Sequence, residues 1–106
     1  MKTPVQIDIL GFNGCPNVPL THELIKAIVL SEGVEAKVTS VEVESIEDAE
    51  RLRFLGSPTV QVNGLDIEPS RQGDGRFSYS CRVYQTNDGA TGVPPEALVR
   101  EAIRNA

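Results

Sequence analysis

A chain of 106 residues with a formal net charge of −5 has room for one small domain with a modest core, and a single domain over residues 1–106 is expected. Its acidic balance disfavours nucleic acid and anionic membranes as partners, because phosphate binding needs clustered positive charge. No apolar run approaches the roughly 18 residues of a membrane span, and two cysteines, Cys15 and Cys81, are too few for a secreted disulfide scaffold.

The opening "MKTPVQIDIL" lacks the long apolar stretch and small-residue cleavage site of a signal peptide, so a cytoplasmic location is expected. Val5, Ile7 and Ile9 alternate with Gln6 and Asp8, which predicts a strand over residues 4–12. Residues 17–33 switch to helical spacing, with Leu20, Leu24, Ala27 and Ile28 as the apolar stripe and Ile25 and Val29 widening it. Pro19 is tolerable only in a first turn, so this helix must begin near Pro16 or Asn17, and Gly33 marks its end. "AKVTSVEV" at 36–43 is rich in β-branched residues and predicts a second strand. Ser45 through Asp48 has the form of a capping box, opening a helix over about 45–55 that Gly56 closes.

Val60 and Val62 alternate with Gln61, Asn63-Gly64 is the preferred type I′ pair, and Leu65 and Ile67 alternate with Asp66 and Glu68. This predicts a β-hairpin with both carboxylates facing water. Residues 69–93 are glycine-punctuated and mostly irregular apart from a β-like patch at "FSYSCRVYQ", which marks an insertion of the kind that carries function. "VPPEALVREAIRNA" closes the chain as a helix with Leu98, Val99, Ala102 and Ile103 inward. The order β-α-β-α-β-β-α predicts an α/β fold with a mixed four-stranded sheet covered by helices.

"GCPN" places Cys15 where the first strand hands over to the first helix. Unpaired amides and the positive end of the helix dipole favour a thiolate there. Gly14 permits unusual backbone angles and close approach, and Pro16 has no amide hydrogen to waste in the first turn. The competing reading is a small buried hydrophobe, since free cysteine is among the most buried residue types.

"GCPN" after the first strand, the βαβαββα order and "GSPTVQVNG" together resemble the thioredoxin-like superfamily. More narrowly, the chain is similar to small thioredoxin-like proteins that share "GCPN", "LGSPT" and "SCRVY". The resemblance covers about residues 4–68 and the last helix. It implies a thioredoxin-like fold, Cys15 as an attacking thiol, and Pro58 as a cis proline beside it, with Ser57 offering its backbone to an incoming peptide or thiol. Where that family carries Cys-x-x-Cys, this chain has Val18, so no local disulfide can form.

Three readings remain open for the thiol: Cys15 acts alone, Cys81 resolves it, or redox chemistry is absent. The implied topology anchors the insertion at the Cys15 end, which brings Cys81 into range. The alternative packs Cys81 under the loop with Phe77, Tyr79, Val83 and Tyr84. Arg82, with Arg71 and Arg76, is either a holder of an anionic substrate or merely solvated. His22 is expected to face solvent. The leading expectation is a thiol-based redox protein acting on a thiol or disulfide substrate without a cofactor. Against it stand a non-catalytic module holding a soft metal ion or a protein partner, and a redox sensor.

Overall fold

A computed structural model describes residues 4–86 and 89–106. Strand β1 (Val5–Gly11) leads into α1 (Asn17–Glu32), β2 (Ala36–Glu42), α2 (Ile46–Leu52), β3 (Thr59–Val62) and β4 (Leu65–Asp66). A 3-10 turn at Pro69–Arg71 opens the insertion, β5 (Tyr84–Thr86) and β6 (Gly89–Thr91) pair within it, and α3 (Glu96–Arg104) ends the chain. Asn87 and Asp88, part of the expected insertion, lie outside the described residues.

The four-stranded sheet has the order β2-β1-β3-β4. β1 runs parallel to β2, with Ile7 opposite Val38, and antiparallel to β3, with Ile9 opposite Val60. β3 and β4 are antiparallel, turned by Asn63 and Gly64 at φ 51° and 84°, both left-handed as a type I′ turn requires. The protein is therefore α/β, with a mixed four-stranded sheet and three helices among the described residues.

Side-chain alternation divides the core between the two faces of the sheet. Ile7, Ile9, Val60 and Val62 pack with Ile25 and Ile28 of α1 and Val99 and Ile103 of α3. Leu10 clusters instead with Val43, Ala49 of α2 and Phe54. The expected stripe on α1 is turned: Thr21, Ile25 and Ile28 are buried while Leu20 is 56% exposed. Thr21 can go inside because its hydroxyl donates to the Asn17 carbonyl at 2.7 Å, so no polar group is left unpaired. His22 is half-buried rather than solvent-facing.

Gly33 ends α1 in the left-handed conformation, its amide donating to Val29 and Leu30 carbonyls. Ser45 caps α2 by accepting from the Asp48 amide at 3.1 Å, while Asp48 accepts from the Glu44 amide. That helix ends earlier than expected, at Arg53 with φ 58°, and Gly56 has a different task. A Cβ on Gly56 would fall 3.0 Å from the Arg82 Cα, so glycine there admits the backbone of the insertion.

Candidate functional site around Cys15

The chain leaves β1 through a tight turn in which the Cys15 amide donates to the Phe12 carbonyl at 3.2 Å and Gly14 takes φ 87°. Cys15 precedes Pro16, the N-cap of α1, and its carbonyl accepts from the Val18 amide at 3.3 Å. Pro16 and Pro19 carry no amide hydrogen, so this helix end offers few free donors. Cys15 is 6% exposed, and its Sγ lies 4.0 Å from the Ser57 carbonyl oxygen. The Ser57–Pro58 peptide bond is cis.

Ser57 is the meeting point of the site. Its amide donates to the Ser80 carbonyl at 2.8 Å, and its own carbonyl accepts from the Arg82 amide at 3.0 Å. These two bonds form a parallel bridge that sets Cys81 opposite Ser57. Bridged residues present their side chains on the same face of a sheet. Both cysteines are free, Cys15 buried and Cys81 exposed. Cys15 and Cys81 thus adjoin one residue from two directions.

Cys81 does not pack beneath the loop. Of the aromatic and apolar neighbours expected to cover it, Tyr79 and Val83 are 43% and 53% exposed, and Tyr84 alone is fully buried. Tyr79 meets Phe12 edge to face at 5.3 Å between ring centres, which ties the Cys81 segment to the turn that carries Cys15. The Tyr84 hydroxyl donates to the Pro58 carbonyl at 2.7 Å.

Arg82 is neither a solvated residue nor an exposed anion holder. Its side chain is 1% exposed, and its guanidinium donates to both Asp66 oxygens at 2.6 and 2.8 Å and to Glu68 at 2.6 Å. It also lies 4.4 Å from the centre of the Tyr84 ring. Burial works against its charge, but the hydrogen bonds it donates to Asp66 and the charges around it outweigh that and hold it protonated. Its two terminal nitrogens are engaged by the chain and its Nε, without a partner among the described residues, is buried too, so the expected substrate contact through Arg82 has no free surface. The expectation that Asp66 and Glu68 face water is overturned for the same reason: Asp66 is 7% exposed and Glu68 half-buried, because a buried cation needs paired anions.

Arg71 and Arg76 both bond Asp74, whose carboxyl their guanidiniums hold well below the usual carboxylate range, Arg76 contributing most. Among the described residues no group of three or more His, Cys, Asp or Glu side chains could hold a metal ion.

A cleft of ≈ 410 Å³ opens beside Cys15, between the 11–19 turn and the end of β2. Phe12, Pro16, Pro19 and Val41 wall it, and Glu42 stands on its rim. Gly14 and Pro16 border it with their exposed surfaces. Gly11 closes its inner end, where a Cβ would collide with Val18 and sit 2.8 Å from the Ser57 hydroxyl. That hydroxyl is fully buried and has no hydrogen-bond partner among the described residues.

Cys15, Pro16, Ser57 and Pro58, expected together, do adjoin in the structure, and Tyr84, expected to pack within the insertion, is buried, whereas Asp66 and Glu68 were expected in water. Their signal was present in two i, i+2 pairs: Asp66 with Glu68, and Arg82 with Tyr84. Among the described residues no helix is long and apolar enough to cross a membrane. The chain matches no protein-family model, no curated protein and no solved structure.

Proposed function

We propose that the chain is a thioredoxin-like thiol–disulfide protein of a reducing, cytoplasmic compartment, in which Cys15 attacks and Cys81 resolves. The observation that carries this reading is the convergence on Ser57: the Cys15 sulfur lies 4.0 Å from its carbonyl, and the Cys81 segment is bonded to its amide and carbonyl. The strand order β2-β1-β3-β4 and the cis bond before Pro58 give further support, since the family resemblance implies both a mixed sheet of this kind and that proline.

In the proposed reaction the Cys15 thiolate attacks one sulfur of a disulfide. A mixed disulfide forms, and the other half leaves as a thiolate that takes a proton from solvent. The Cys81 thiolate then attacks the Cys15 sulfur and expels the second half, leaving a Cys15–Cys81 disulfide. The substrate is reduced by two electrons and the protein dithiol is oxidised by two. Val18 explains why a distant thiol is needed, because no second cysteine stands on the helix. The part assigned to Ser57 changes: its backbone serves the chain's own residues 80–82 and is not offered to a substrate.

Trapping tests the reading. Reduced Cys81→Ser protein treated with a small disulfide should hold a stable adduct on Cys15, while the unmodified chain should pass the same adduct on to an internal disulfide and lose it. Adducts that persist equally in both proteins would remove Cys81 from the mechanism. Absence of any adduct on Cys15 would remove the mechanism.

A further inference from the structure

Resting on that reading of Cys15, we infer that its substrate is a small disulfide of neutral or cationic character, entering through the cleft beside β2, and not an extended peptide or an anionic disulfide such as oxidised glutathione.

Two approaches to the Cys15 sulfur can be compared. The first is the backbone edge at Ser57, where an extended peptide would add by hydrogen bonding its main chain. Both Ser57 groups are already taken, by Ser80 and Arg82 at 2.8 and 3.0 Å. The occupying segment is fastened by the buried Arg82–Asp66–Glu68 group and by Tyr84 on Pro58. A peptide would have to displace all of it.

The second approach is the ≈ 410 Å³ cleft, which Cys15 itself lines. That volume suits a small molecule. Its walls at Phe12, Pro16, Pro19 and Val41 are apolar, and none of its lining residues is Lys, Arg or His. The Ser57 hydroxyl, buried and without a partner among the described residues, lies near Gly11 but outside the cleft's lining.

Charge at the mouth decides between small substrates. Glu42 lines the cleft, and Glu44 follows two residues on, its carboxyl pushed above its ordinary value first by the hydrogen bond to Glu42 and then by the charges of Glu42 and Asp48. Glu42 is the one charged residue among those lining the cleft, and a mouth carrying one sign of charge concentrates ligands of the other and repels its own kind. The guanidinium that could have received carboxylates, Arg82, is sealed inside.

The probes are cystamine, hydroxyethyl disulfide, oxidised glutathione and a disulfide-linked peptide, each added to reduced, full-length Cys81→Ser protein. Adducts on Cys15 are timed by mass spectrometry. Each rate is divided by that of the same chain unfolded in urea, which cancels intrinsic reactivity. The expected normalised rate for cystamine exceeds that for oxidised glutathione by on the order of tenfold, with hydroxyethyl disulfide between them and the peptide slow. Glu42→Gln should narrow the cystamine-to-glutathione ratio. Glutathione or the peptide reacting as fast as cystamine would overturn the inference while leaving Cys15 as the attacking thiol. No adduct with any probe would instead overturn the underlying reading.

Discussion

Asp66→Asn is the most informative perturbation of the frame that holds Cys81. Asp66 and Arg82 have side chains 6% and 1% exposed, joined by two bonds of 2.6 and 2.8 Å. Asparagine keeps the shape but removes the charge and turns one acceptor into a donor facing the guanidinium. Breaking a buried pair by removing one partner typically costs about 3–5 kcal/mol, because the other charge is left uncompensated. Glu68 remains at 2.6 Å as a second counter-charge, which places the expectation at the lower end, about 3 kcal/mol. Equilibrium urea unfolding reads this directly: the midpoint should fall with little change in slope. The same variant should form the Cys15–Cys81 disulfide more slowly, because the bridge at Ser57 depends on Arg82 staying in place. A loss below about 1 kcal/mol, the scale of a surface pair, would refute the claim that this buried group anchors the insertion.

Glu32 ties α1 to α3 by accepting from Arg104 at 2.8 and 2.9 Å and from Arg100 at 2.8 Å. The Arg104 guanidinium, with Arg100 beside it, holds the Glu32 carboxyl below its ordinary value of 4.5. A carboxyl depressed in the folded state stabilises the fold above its unfolded pKa, and that contribution is lost as pH falls through the folded value. The melting-temperature gap between the unmodified chain and Glu32→Gln should therefore be widest near neutral pH and close in acid. A gap that persists undiminished to strongly acidic pH would contradict the assignment.

Much of this fold could be read from residue spacing, because its signals are local. Period-two alternation marks β1, Asn63-Gly64 turns the hairpin, and Gly33 stops α1. The turned face of α1 was hidden because hydrophobicity ranks Leu20 above Thr21, whereas Thr21 meets its polar needs within its own helix. Long-range pairing hid the rest. Alternation on the hairpin puts Asp66 outside, yet β4 is two residues long and Leu65 is the residue left 55% exposed. What draws Asp66 inward is Arg82, sixteen positions away. Likewise the strand–Gly–Cys–Pro junction points to Cys15, but nothing local to "SCRVY" says that its backbone closes on Ser57.

The proposed chemistry requires the two sulfurs to meet. Unmodified protein, oxidised mildly with diamide under native conditions and mapped by mass spectrometry without reduction, should yield one internal disulfide joining the Cys15 and Cys81 peptides, with little intermolecular product. Finding both thiols free, or joined only between separate chains, would contradict the account at its centre.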